Sequence, residues 1–260
     1  MRSVTITNKK SILIHLVFMC VLISVIFSGC GRSPEQDDLN AEGNRVEGND
    51  SSELREVAPA LKPEIRSVMI NGQAWMAENL NVDVFRNGEP VPYARNSKDW
   101  LEAGQKEQPA WCYYETQEGL DTAYGRLYNY YAFIDPRGLA PEGWELPSNE
   151  DFEKLIKAFG GKKTAGAALK SVEGWDEGST ATNESGFGAE PAGMRNFVGA
   201  FRNRGGFGYF WSTNDRPNAN AWHFNLNHKS SIGKMFYSQK GNGFSVRCIR
   251  PEFSEQQKGE

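Results

Sequence analysis

Apolar and polar positions alternate over short spans along most of this chain, and a single long apolar run interrupts the habit. That run, from Ile12 to Phe27, is broken only by His15 and Ser24. At 16 residues it falls short of the roughly 20 needed to span a bilayer. Further on, Ser67–Ile70 and Gln73–Met76 flank Asn71-Gly72, the pair best suited to a two-residue type I′ turn, so a hairpin is predicted. Asn87-Gly88 marks a second turn after Phe85. Asn96 or Ser97 is expected to cap a short helix through Trp100 and Leu101, ended by Gly104. The clearest helix runs from Asn149 to Phe159. Its Phe152, Leu155, Ile156 and Phe159 recur at i, i+3, i+4 and i+7, Ser148 with Asp151 has the form of a capping box, and Gly160-Gly161 supplies the stop. A second short helix is expected over Thr164–Ser171.

From there glycine and aromatic residues dominate, as in Gly186-Phe187-Gly188 and Gly205-Gly206-Phe207-Gly208, and packed loops are expected. Four short runs follow, at Tyr209–Ser212, Ala221–Leu226, Ile232–Ser238 and Phe244–Arg250. Turn residues separate them, which predicts a four-run antiparallel meander. Alternation in the last run sets Phe244, Val246 and Cys248 on one face and Ser245 and Arg247 on the other, so Cys248 points inward.

Composition divides the chain. Arg2, Lys9 and Lys10 give it a basic start, and Phe27-Ser28-Gly29 leads from the apolar run into Cys30. This resembles a lipoprotein signal, with residues 1–29 removed and Cys30 acylated. Gly31 rather than Asp follows, so the expected address is the outer membrane of a bacterial envelope. Residues 30–65 read as an acidic tether: positions 31–65 hold nine acids against four bases and no aromatic residue, too little apolar surface to offset ordering. Residues 66–251 carry all seven Trp and all nine Tyr with charges balanced at 21 and 21, the make-up of one compact domain. Neutrality and the lack of a basic run argue against a nucleic-acid partner. Residues 252–260 form a polar tail.

Beyond the signal only Cys112 and Cys248 remain. In an oxidising compartment a Cys112–Cys248 disulfide is the expectation, with two separate buried thiols as the alternative.

Several segments, in one order, resemble the Fibrobacter succinogenes major paralogous domain. They are Trp75–Leu80, Trp111–Tyr114, Tyr124–Tyr128, Leu139–Trp144, Leu146–Ser148, Ala181–Phe187 and Ser245–Cys248, and the resemblance covers about residues 66–251. It implies an α+β, C-type-lectin-like fold, grouped with formylglycine-generating-enzyme-like domains: two short helices, small antiparallel sheets and long loops. It implies no activity, and fold alone does not transfer one.

The chemistry left to weigh is sparse. His223 and His228 are five apart, one in a strand and one in a turn, with no metal-ligand spacing, and are expected to be packed or exposed imidazoles. Glu150 and Asp151 sit in a helix's first turn, where the macrodipole accounts for them. Formylglycine-generating enzymes use a close cysteine pair near the C-terminus; here the partner of Cys248 lies 136 residues upstream, so catalysis is not expected. A recognition domain for a glycan or protein is the leading expectation, with a structural or assembly component of the envelope as the alternative. Trp211 and Trp222 are the candidate platforms, against the commoner reading of each as a core residue. No cofactor is expected. Asn214 and Asp215 could offer oxygen ligands to calcium, against the plainer reading of a turn before Pro217.

Overall fold

The computed structural model describes residues 64–251. The expected signal, Cys30, the tether up to Pro63 and the tail from Glu252 lie outside the described residues. Among the described residues no helix is long and apolar enough to cross a membrane.

The hairpin forms as expected. Asn71 and Gly72 take φ of 48° and 86°, the left-handed pair of a type I′ turn, joining β1 (Ser67–Ile70) to β2 (Gln73–Met76). The Asn96 side chain accepts the Asp99 N–H and starts α1 (Ser97–Gln105), which continues through Gly104 to a cap at Lys106. β3 (Trp111–Cys112), β4 (Tyr114–Thr116), β5 (Gly119–Asp121) and β6 (Leu127–Tyr128) pair as β3 with β6 and β4 with β5. One-turn α2 (Tyr130–Phe133) is capped by Asn129.

In α3 (Asn149–Ala158) Ser148 and Asp151 complete the expected capping box, and Phe152, Leu155 and Ile156 are buried. α4 (Ala165–Leu169) lies within the expected second helix. Gly166 lets it dock on the loop before β11: a Cβ there would lie 2.7 Å from the Ile232 carbonyl oxygen. β7 (Met194–Arg195) and β8 (Phe201–Arg202) form one more short pair. A three-stranded antiparallel sheet follows, β9 (Phe207–Arg216), β10 (Asn220–Asn227) and β11 (Gly233–Gln239), with β10 central. The fold is mixed α/β with a few short helices and small antiparallel sheets. Four helices stand among the described residues where the resemblance implies two.

One face of the β9–β11 sheet is core. Phe210, Phe224 and Leu226 pack on Phe152 and Leu155 of α3 and Ala165 and Leu169 of α4, with Phe152 and Phe224 stacked at 5.1 Å. Register sets the alternate residues side by side on the other face: Tyr209, Asn225 and Lys234 in one row, Trp211, His223 and Phe236 in the next. Trp211 and Tyr209 reach a second cluster with Tyr128, Tyr130 and Phe244.

The fourth run of the meander does not extend the sheet beyond β11. Phe244–Arg250 threads between the clusters instead. Ser245 lies beside β9, Phe244 exchanges both hydrogen bonds with Tyr128, and Ile249 does so with Glu145. The Met76 N–H donates to the Cys248 carbonyl and the Leu80 N–H to that of Val246. An edge position would wet one face, yet Phe244 through Cys248 are fully buried on both. The expected alternation holds: Phe244, Val246 and Cys248 face one cluster, and Arg247 faces Phe187 and Phe210 in another.

The expected Cys112–Cys248 disulfide is not formed, and both thiols are free and buried. Cys112 packs with Trp100 and Leu127 beside the Arg195 guanidinium, whereas Cys248 belongs to the cluster of Met76 and Tyr128. Each sulfur is needed as a small apolar filler in a different core.

Three cations are buried without a carboxylate partner among the described residues. Arg247 donates to the carbonyls of Met76 (3.1 Å), Phe187 (2.6 Å) and Gly188 (3.3 Å) and to Asn79 Oδ1 (2.8 Å). Arg195 donates to the carbonyls of Ala94 and Gly199. Lys170 donates to three carbonyls and Thr180 Oγ1. Charge-assisted bonds of this kind offset part of the cost of burying an ion.

Candidate functional site

Strand β9 is irregular where it faces Trp222, because Ala221 pairs with Asp215 and His223 with Trp211. The three residues opposite Trp222, Ser212 to Asn214, arch toward the start of α3. Asn214 Oδ1 accepts the Asn149 N–H at 2.7 Å, the Thr213 N–H donates to the Pro147 carbonyl, and Ser212 Oγ donates to Asn149 Oδ1. Asp215 pairs with Lys240 at 2.8 Å, which holds its carboxyl below the usual range. Asn214 and Asp215 are thus drawn to different protein partners and do not converge. The described residues contain no group of three His, Cys, Asp or Glu that could hold a metal.

The two candidate platforms are also committed. Trp211 is 0% exposed, donates its Nε1–H to the Tyr128 carbonyl at 2.8 Å and lies 4.3 Å from Phe244. It is core because its position on β9 faces the aromatic cluster rather than solvent. Trp222 is half-buried, edge-on to Tyr237, and the Arg216 guanidinium stands 5.0 Å from its ring and 3.9 Å from that of Tyr237.

The open ground lies on the face that Trp211 shares, away from α3 and α4. A groove of about 390 Å³ is lined by Phe207, Tyr209, His223, Asn225, Lys234 and Phe236, with the β10–β11 loop closing one end. Phe207 and Tyr209 stack at 5.6 Å and 9°, making a continuous aromatic floor, and Phe236 stands 41% exposed across from them. Two polar groups lie at the base. Asn225 is nine-tenths buried, and its amide has no protein partner among the described residues. His223 is buried with Nε2 on Ser238 Oγ at 3.0 Å, while Nδ1 has no partner among the described residues. Burial pushes the His223 pKa down to about 4, so the ring is neutral at pH 7. Volume, aromatic lining and a few polar groups are the features of a small-ligand site.

His223 is thus a packed imidazole, as its sequence context suggested, but one that also lines the groove. Period-two spacing on one face, 207 and 209, 223 and 225, 234 and 236, was the available signal for the site. A larger hollow of about 580 Å³ beside the β1–β2 hairpin borders Pro251, the last described residue. Of its two lining side-chain amides, Asn71 and Gln73, the latter already donates to the Ala74 and Arg250 carbonyls.

Residues 68–250 match the family model of the Fibrobacter succinogenes major domain. No curated protein and no solved structure matches. The chain belongs to the Fibrobacter succinogenes major domain family.

Proposed function

We propose that this chain is a lipid-anchored protein of the bacterial envelope whose domain recognises a glycan, without turnover, in the groove on the outer face of the β9–β11 sheet. The observation that carries the reading is the pairing of an aromatic floor with two polar groups left without a partner among the described residues, the groove-lining Asn225 amide and the buried His223 Nδ1. A pyranose ring buries its apolar face on an aromatic and presents hydroxyls to such groups, with no charged partner required. Binding without chemistry suits the titratable groups of the domain, and neither thiol lines the groove. Burial raises both thiols to about 12, so neither is a thiolate near neutral pH. His223 is held neutral, with one nitrogen already on Ser238. A C-type-lectin-like architecture, short helices on small antiparallel sheets with long loops, belongs to the same proposal.

The anchor rests on the sequence before Cys30, and acylation with two or more chains holds a protein stably on a bilayer. Cys30→Ala should move the protein from the membrane to the soluble fraction; unchanged membrane retention would count against acylation. For the groove, glycan-array binding by the full chain should disappear in Phe236→Ser. Binding to no glycan, together with co-purification in an envelope complex, would favour a structural or assembly role instead.

A further inference from the structure

The groove is one-signed in charge. Lys234 is the only ionised side chain among its lining residues, and no carboxylate is among them. Its ammonium lies over the Phe236 ring, 4.3 Å from the centroid, rather than on an acid. A second ammonium is buried behind the end wall. Lys170 Nζ donates to the carbonyls of Asn227 (2.9 Å), His228 (3.1 Å) and Ser230 (3.0 Å) and to Thr180 Oγ1 (2.8 Å). Asn227 and Ser230 themselves line the groove, so this charge stands one residue behind its surface. Lys229, exposed on the same loop, adds a third cation. Asp176, beside Gly205 and Gly206, is not among the lining residues. Low-dielectric walls strengthen and focus the field of such charges into a cleft.

A neutral sugar has no use for this arrangement, since its hydroxyls are served by Asn225 and His223 at the base. We infer that the groove, resting on its reading as a glycan site, takes a sugar bearing an acidic substituent, a carboxylate or a sulfate, paired with Lys234 while the ring lies on the aromatic floor. Lys234 shares a cross-strand row with Asn225 and Tyr209, so its ammonium stands on the same face as the aromatic floor.

Calorimetric titration of the full chain with a uronic-acid oligosaccharide, and with the same oligosaccharide methyl-esterified at its carboxylates, isolates the charge. At low salt the acid should bind about tenfold tighter than the ester. The gap should close near 1 M salt, where the screening length falls to about 3 Å. Lys234→Gln should bring the acid to the affinity of the ester and leave the ester unchanged. A sulfated oligosaccharide run alongside separates the two anions: tighter binding than the uronate keeps the inference and assigns sulfate. Equal affinity for acid and ester, or acid binding untouched in Lys234→Gln, overturns the charge inference. With Phe236→Ser still abolishing binding, the groove reading then stands. Binding by none of the three sugars overturns both.

Discussion

In the β9–β11 sheet, backbone N–H and C=O groups meet in register, and what remains is apolar area packed on α3 and α4. The segments between β2 and α3, and between α4 and β9, have only two-residue and three-residue strand pairs and short helices. There, long side chains do the work of a ladder. Arg86 donates to the Ala140 and Trp144 carbonyls, Trp111 Nε1–H to Val91, Arg195 to Ala94 and Gly199, and Arg247 to Met76, Phe187 and Gly188. Buried carbonyls must be paired in either region. The sheet pairs them with repetition, the loops with individual side chains. One consequence is that volume decides tolerance in the sheet, whereas donor number decides it in the loops.

The strongest way to break this contrast is Arg247→Met, which keeps an unbranched chain and removes every donor. Each orphaned acceptor costs about 1–3 kcal/mol, offset by relief of a buried charge whose pKa burial pushes down to about 10. The net expected loss is about 4 kcal/mol in chemical denaturation, and a loss below about 1 kcal/mol would remove the distinction. Trp211→Ala tests the sheet side. A buried indole truncated in a tight cluster costs about 3–5 kcal/mol, so unaltered melting would return Trp211 to the ligand surface.

A smaller effect is proton-linked. His223 has a folded pKa of about 4 against an ordinary value of 6.5, so the unfolded chain binds more protons between those limits. Its contribution is complete above pH 6.5 and is lost as pH falls toward 4, by up to about 3 kcal/mol. His223→Gln should flatten the stability profile across that window, and an identical slope in both proteins would show the imidazole is not responsible. Phe236→Ser sharpens the comparison from the quiet end. An exposed ring on the solvent face should cost about 0.5 kcal/mol or less, so stability is kept while binding is lost.

Local signals carried the regular half of the fold. The Asn71-Gly72 turn, the Ser148–Asp151 box and the Phe152, Leu155, Ile156 stripe each act within a few residues, and each stands where sequence placed it. The loop half was illegible because its partners are distant: Arg247 reads as an outward strand residue until Phe187 and Gly188 are known to lie beside it. The disulfide expectation failed for a related reason, since cysteine count says nothing about which core each sulfur fills. The groove was half legible. The meander and its aromatics were visible, and the core reading of Trp211 holds, but the alternation of Phe207, Tyr209 and Phe236 that lines the groove was not singled out.

The run from Phe244 to Arg250 follows, in chain order, every element it joins: β2, β6, the Glu145 segment and β9. Folding of this domain is therefore governed by its final stretch. A nascent chain that has emerged only as far as β11 has its hairpin, helices and sheet, but lacks the strand of residues that closes the clusters around them. Contacts of such long sequence separation are slow to form. The same dependence makes residues 244–250 the segment whose docking completes the clusters of the domain.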